Sequence, residues 1–269
     1  MSLLTVSPVA ERARLVRDSD RASVDVALRD VVLAAHGSRD PRAAADTSRL
    51  VAAVAAARPD LRVRAAYLDF TAPALGGALH GEFGPTTVVP LLITPAYHAR
   101  VDVPGVVAAA VDSGLAVAAT PVLGPTRPDD PGLGLLVDAL VRRLYDAPAP
   151  RSATAEWDAV IVGAAGSRDA GALHTVETVA SALGVRLGVP CLAGYATGAG
   201  RSVIAAAETA RVAGARHIAY ASLFLAAGVL ADRAAAAAHA ADARVIAAPL
   251  GGAREIATLV GIRVDATIE

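Results

Sequence analysis

Two histidines stand where short apolar runs end and turns begin. One opens the string His36-Gly37-Ser38-Arg39-Asp40, which follows the apolar run at 31–35 and precedes Pro41. The other closes Tyr97-His98, just beyond a run that starts at Val89. An imidazole at such a point offers two chemistries: it ligates borderline metals such as Fe, Co, Ni and Zn, and it accepts a proton near neutral pH. Asp69, in AYLDFTAP after a third run, would complete a two-histidine, one-carboxylate set of the kind that holds a divalent metal with positions left open. Each feature also has a plain structural reading. Ser38 or Asp40 serves equally as a helix cap, His36 as the hydrogen-bond partner of a loop, and Asp69 as the N-cap of the next helix. Gly37 lets the backbone turn sharply, and the amides after it suit an anion as well as a helix start.

The elements that must position these residues follow from periodicity. From residue 31 onward, short Val/Ile/Leu/Ala runs alternate with Ala-rich segments of helical spacing, as parallel strands buried on both faces alternate with crossover helices. The fold class is therefore α/β. The pattern predicts strands near 31–35, 61–68, 86–93 and 115–120 and helices near 41–57, 73–80, 103–113 and 132–145. A second set follows, with strands near 159–164, 188–195, 215–222 and 243–248 and helices near 170–184, 199–213, 228–241 and 252–261. In open parallel sheets ligands bind outside the carboxyl ends of the strands, where both histidines fall.

The two sets are one unit written twice. VVLAAHGSRD at 31–40 aligns with VIVGAAGSRD at 160–169, and AYLDF at 66–70 with GYATG at 194–198. The second copy keeps Gly166-Ser167-Arg168-Asp169 but has Ala165 in place of His36, and Gly228-Val229 where Tyr97-His98 stands. Turn and cap thus survive without the imidazole, which marks His36 as something the turn does not require. Thr197 or a close neighbour is the counterpart of Asp69. Two such halves facing each other would enclose a cleft with one working side, and a single chain would supply both walls, so a monomer would suffice.

Domain limits follow. Residues 1–29 mix Arg12, Arg14, Arg17 and Arg21 with Glu11, Asp18 and Asp20 and hold no apolar run of signal-peptide length, which reads as a loose extension. Residues 30–147 form the half with the histidines, 148–157 a Pro-rich linker, and 158–264 the half without them.

Composition excludes several classes. All 25 Lys+Arg residues are Arg, and there is no Lys, Asn or Gln. A P-loop, a pyridoxal-phosphate site and a protein kinase each need a lysine, so none is present. Cys191 is the one cysteine, which rules out an internal disulfide and any multi-cysteine metal site and is compatible with the cytoplasm. A net charge of −1, with no block of like charge, gives no sign of a nucleic-acid partner. Apolar runs such as 223–231 end well short of a membrane span. His80, His174 and His239 fall inside expected helices and His217 before a strand, places usual for structural or solvent-facing histidines. Arg39, Arg100, Arg168 and Arg201 lie at or just beyond strand ends, where a guanidinium either makes a surface ion pair or clamps a ligand carboxylate. A phosphate-binding hydrolase built on the HGSR turn would need a nucleophile, and Ser38 has no evident triad.

AAHGSRDPRA at 34–43, AAYLDFTAPAL at 65–75 and VPLLITPAYHARVDVP at 89–104 resemble the sirohydrochlorin chelatase family, the class II cobalto- and ferrochelatases, in its long, internally duplicated form. The resemblance covers about residues 30–264. It implies two flavodoxin-like halves around a tetrapyrrole and insertion of a divalent metal into sirohydrochlorin on the way to sirohaem or cobalamin. The metal, Fe²⁺ first, Co²⁺ next and then Ni²⁺, is substrate, with no permanently bound cofactor. Residue by residue, the family's histidines fall on His36 and His98, which then bind the incoming metal and accept protons. The family's acid after the second strand is commonly Glu; this chain has the shorter Asp69, which orients or ligates. Gly37, Ser38, Arg39, Tyr97 and Arg100 are the expected substrate contacts. A non-catalytic tetrapyrrole or metal carrier using the same cleft is the alternative of a different class.

Overall fold

The computed structural model describes residues 28–81, 84–95, 98–127, 129–148 and 157–267, with His98 described in its backbone alone. The expected N-terminal extension, apart from its last two residues, and the expected linker, apart from its two ends, lie outside the described residues, as does Tyr97.

The first half builds a parallel sheet from β1 (Arg29–Ala35), β2 (Leu61–Tyr67), β3 (Thr86–Pro90) and β4 (Val117–Ala119), in the order β2-β1-β3-β4. Its helices are α1 (Pro41–Ala57), α2 (Leu75–Leu79), α3 (Val103–Asp112) and α4 (Gly132–Asp146). The second half repeats this with β5 (Ala159–Ala164), β6 (Cys191–Tyr195), β7 (Ile218–Ser222) and β8 (Val245–Ile246), in the order β6-β5-β7-β8. Its helices are α5 (Ala170–Leu187), α6 (Val203–Val212), α7 (Val229–Ala240) and α8 (Arg254–Asp265). The central strands β1 and β5 are apolar without alternation because helices cover both their faces, and Val31 to Ala34 are fully buried. The edge strands β4 and β8 are shorter than their apolar runs predict, since only residues opposite β3 or β7 find a ladder partner.

The molecule stacks helix, sheet, helix, sheet, helix. Helices α2 and α3 cover the outer face of the first sheet, where Val32, Ala34, Leu75 and Val103 meet. Helices α6 and α7 do the same for the second, around Ile161, Val203 and Tyr220. The middle layer is shared: α1 packs on α8, and α4 on both α5 and α8. One apolar cluster therefore runs from Val31 and Leu50 through Leu140 to Val162 and Ile256. The halves are joined by a core, and burial of that apolar area is their main bond.

Ion pairs frame this seam. Arg142 holds Glu255 at 2.8 Å, and Arg58 holds Asp265 at 2.9 Å. Deepest is Arg263 of α8, which meets Asp130 at 2.9 Å and donates to the Val122 carbonyl oxygen at 3.0 Å. Asp130 also accepts from the amides of Thr126 and Gly132, so through Arg263 the loop at 126–132 is pinned to the far end of the chain. Among the described residues no helix is long and apolar enough to cross a membrane.

Candidate functional site

Strand order 2-1-3-4 sends the chain to opposite sides after β1 and after β3, and a crevice opens between those two strand ends. Both sheets aim this crevice at the same space, a cleft of about 710 Å³ between the halves. Ala35–Asp40 and Leu91–Thr94 line it from the first half, Ala164–Ser167 and Leu223–Ala231 from the second. Its inner surface is largely aliphatic, with Leu50 of α1 and Leu173 and Val176 of α5 at the base.

The repeated turn is the same object in both halves. Gly37 has φ +91° and Gly166 φ +93°, a region L side chains rarely adopt. An added Cβ would lie 1.8 Å from the Asp69 carbonyl oxygen in the first case and 1.9 Å from that of Thr197 in the second. The amide of Asp69 donates to the His36 carbonyl oxygen, as that of Thr197 does to Ala165, so Thr197 is the counterpart of Asp69. Ser38 Oγ accepts from the Asp40 amide at 3.0 Å, and Ser167 Oγ from the Asp169 amide at 3.0 Å. Asp40 caps α1 and Asp169 caps α5. The structural reading of Ser38 and Asp40 is thus realised, and the turn is spoken for by its own hydrogen bonds.

His36 lines the cleft and is exposed to it. Its ring stands edge-on to Phe70, centroids 6.2 Å apart and planes at 88°. Phe70, with φ +56° and 53 % exposed, stands at the cleft wall, and the Arg39 guanidinium lies 5.0 Å from the ring centroid. Sequence reasoning passed over Phe70; the signal was an aromatic directly after Asp69 in a chain with only 3 Phe.

Asp69 is exposed, lies outside the cleft wall, and accepts from the Phe70 amide at 2.8 Å. Its place in the fold is that of a turn-former that sets Phe70 rather than that of a group aimed inward. His98 begins a five-residue π-helical turn, His98–Asp102, that leads into α3, and its neighbour Ala99 lines the cleft. The two histidine-bearing segments therefore meet at one cleft. Among the described residues no group of three or more His, Cys, Asp or Glu could hold a metal; the His98 side chain is outside that set. His80, His174 and His239 are solvent-facing, and His217 half-buried, as expected.

The strand ends fix where the third strands of the two copies correspond. Ala34 pairs with Pro90 and Gly163 with Ser222, so Pro90 and Ser222 are equivalent. Beyond them the copies differ in length: Thr87 pairs with Ala118 and Ala219 with Val245, so the first half is five residues longer between its third and fourth strands. In the cleft segment Leu223–Ala231 the second half has no histidine.

Two further residues were not foreseen. Asp46 lines the cleft from α1, is buried, accepts from the Ala227 amide of the second half at 2.8 Å and pairs with Arg49 at 2.6 Å. Its signal was spacing: Asp46, Leu50 and Val54 share one helical stripe, and a carboxylate on an apolar stripe needs a reason. Tyr195 donates to the Leu173 carbonyl oxygen at 3.2 Å, and burial pushes its phenol up to about 12, so it stays protonated in the cleft wall.

Comparisons with known proteins agree with this fold. The CbiX family matches the chain twice, over residues 30–146 and 159–267. SirB from Bacillus subtilis with Fe³⁺ superposes with a TM-score of 0.70 at 19% identity, covering 89% of this chain and 95% of that one. The sirohydrochlorin chelatase SirB from Bacillus subtilis subspecies spizizenii, in complex with cobalt, gives 0.67 at 16% identity, with the same 89% and 95% coverage. CbiX, the terminal enzyme for biosynthesis of sirohaem in denitrifying bacteria, gives 0.62 at 20% identity, covering 90% of this chain and 100% of that one. At these identities the structures establish a shared fold. No curated protein sequence matches.

Proposed function

Given that this chain belongs to the CbiX family, matched over both of its halves, we propose that it is a sirohydrochlorin chelatase that inserts a divalent metal, Fe²⁺ by preference, into the free macrocycle. One observation carries the reading: a ring-sized, largely aliphatic cleft of about 710 Å³ that has His36 on one wall and Ala165 at the equivalent point of the other. A flat macrocycle fills such a space by apolar contact, and the histidine-bearing wall decides which face the metal enters from.

Metalation requires two pyrrole N–H protons to leave while the metal exchanges its waters for ring nitrogens. A group that is both ligand and base, facing the ring, serves both needs. His36 and His98 take that role, holding the incoming metal and receiving the displaced protons. Asp69 orients: its carboxylate fixes the Phe70 amide, and Phe70 in turn flanks the His36 ring. Gly37 and Ser38 shape the turn that carries His36, Arg39 steadies Phe70, and Tyr97 and Arg100 belong to the segment that brings His98 to the cleft. Both walls come from one chain, so a monomer forms the site.

The test is the spectrum of sirohydrochlorin mixed with enzyme and Fe²⁺, Co²⁺ or Ni²⁺ in turn. We expect fastest metalation with Fe²⁺, and a loss of at least about 100-fold in His36→Ala/His98→Ala, the usual scale for removing a general base. An unchanged rate in the double variant, at metal levels where the uncatalysed reaction is slow, overturns the reading in favour of a carrier. The solved relative with cobalt supports cobalt as the second metal, and a Co²⁺ rate above that of Fe²⁺ would reverse the order.

A further inference from the structure

The loops that follow β2 and β6 are one turn with different side chains. Tyr67 and Tyr195 end these strands opposite Ala35 and Ala164, and after equal lengths of chain Ala74 and Ser202 bridge back to them, so the loops correspond residue for residue. Phe70 therefore stands where the second half has Gly198. Both have positive φ, +56° and +80°. Glycine enters this region without steric penalty, whereas a bulky side chain is an outlier there. The turn favours glycine, yet the first half places a phenylalanine in it.

Folding gains little from that choice. Phe70 is exposed at the cleft and belongs to none of the apolar clusters of the core. Its loop is nonetheless mounted firmly on the turn that carries His36. The Asp69 amide donates to the His36 carbonyl oxygen at 2.9 Å, and Thr71 Oγ1 accepts from the Ser38 amide at 3.1 Å and donates to the Ser38 carbonyl oxygen at 3.0 Å. Ala199, the counterpart of Thr71, has no hydroxyl to do the same. Strain of this kind persists where such contacts over-determine the backbone. The mounted ring stands edge-on to His36, with the Arg39 guanidinium over it. Among the described residues, the other large apolar side chains that are both exposed and in the cleft wall are Val229 and Leu230, on the second half. Apolar surface left open in a concave site is surface that a ligand covers.

We propose that Phe70 is a substrate-contact residue, an aromatic surface that seats a conjugated macrocycle on the histidine-bearing wall. This rests on the tetrapyrrole reading of the cleft. An aromatic pair contributes beyond the area it buries, so a π-system gains more from Phe70 than from the aliphatic side chains around it. The contact is one-sided, because Gly198 offers no side chain at the same point of the other half. The macrocycle is thereby drawn to the wall with His36 rather than to the wall with Ala165, and the left-handed backbone keeps the phenyl ring in the cleft instead of in the core.

The test is equilibrium binding of metal-free sirohydrochlorin to the full-length chain, read from the absorption of the macrocycle, with kcat and KM for metalation measured beside it. Phe70→Gly copies the second half and gives the turn the residue it favours, so its fold is retained, which the thermal midpoint checks. We expect it to bind the macrocycle roughly tenfold more weakly, Phe70→Tyr to stay within about twofold of wild type, and Phe70→Leu, apolar but without a π-face, to fall between them. If Phe70→Gly folds poorly, the difference between Phe70→Tyr and Phe70→Leu decides. Wild-type affinity in Phe70→Gly or in Phe70→Leu overturns the proposal. A fall in kcat with affinity unchanged assigns the ring to His36 alone and overturns it equally. Sirohydrochlorin bound but not metalated by wild type refutes the chelatase reading and leaves the contact to be judged on these affinities; no tetrapyrrole binding at all removes both.

Discussion

Replacing Gly37 or Gly166 by Ala separates what the repeated turn needs from what the chemistry needs. In each case the new Cβ lies 1.8 or 1.9 Å from a carbonyl oxygen of the second-strand loop, against the 3.0 Å below which real Cβ contacts are essentially never found, so that loop must retreat by more than 1 Å. In the first half this pulls on the Asp69 peptide, whose amide bonds His36 at 2.9 Å and whose carbonyl oxygen accepts from Thr71 at 2.7 Å. Losing one such bond costs about 1 kcal/mol, and holding Ala at positive φ costs roughly 1–2 kcal/mol more. Each substitution should therefore cost about 2–3 kcal/mol, a melting-point loss of roughly 4–12 °C for a chain of this size. Thermal unfolding followed by circular dichroism measures it, and sirohydrochlorin metalation is assayed well below both midpoints. We expect equal losses of stability from the two variants and a much greater loss of rate from Gly37→Ala, because only that turn carries a histidine. A stable Gly166→Ala, or equal loss of rate in both, would refute the reasoning.

Two further outcomes concern the seam. Asp130→Ala strands the buried Arg263 guanidinium without its carboxylate, which should cost about 3–5 kcal/mol in a denaturant titration, whereas Arg127→Ala, whose pairing with Asp129 is exposed, should cost less than about 0.5 kcal/mol. Burial raises Glu255, but the hydrogen bonds from Arg142, its own backbone amide and Arg254, with the charge of Arg142, together outweigh it, for a net position of about 2 against an ordinary 4.5. Its folded value lies below its unfolded one, so its stabilisation is complete above about pH 4.5 and is lost as pH falls toward 2; Glu255→Gln should flatten that limb of the stability curve.

The alternation of apolar runs with Ala-rich helices exposed the fold, because buried parallel strands leave an unmixed apolar signature and the duplication repeats every landmark. Helix α1 was expected at 41–57 and spans Pro41–Ala57, since Pro at its first position and the Asp40 cap are both written in the letters. Strand β3 was harder: the run continues to 93, yet the ladder stops at Pro90 because the chain then turns toward the cleft. Asp130, Asp46 and Phe70 were missed for a shared reason. Each matters through a partner distant in sequence, Arg263, the Ala227 amide and the His36 ring respectively, and local pattern carries no record of such pairings. Asp69 was read as a ligand candidate from its place after a strand, and the carboxylate instead turns back on its own chain.

The asymmetry of the two halves follows from the geometry of the proposed reaction. A macrocycle between two walls has two faces, but a metal enters through one, and a second set of imidazoles on the other face would compete for the same ion without shortening its path. The half at Ala165 is thereby free to become an apolar wall, whose loop from Leu223 to Gly228 is tied to the first half through the Asp46 carboxylate. Such division requires that the halves not exchange roles. Two surface ion pairs fit the halves in one order only: Asp232 accepts Arg42, whose counterpart in the second half is Gly171, and Arg100 meets the cap Asp169. Two copies of the second half would set Asp232 against Asp169 with no cation at the position of Arg42 between them. One covalent chain with unlike halves secures a pairing that each half alone would lack.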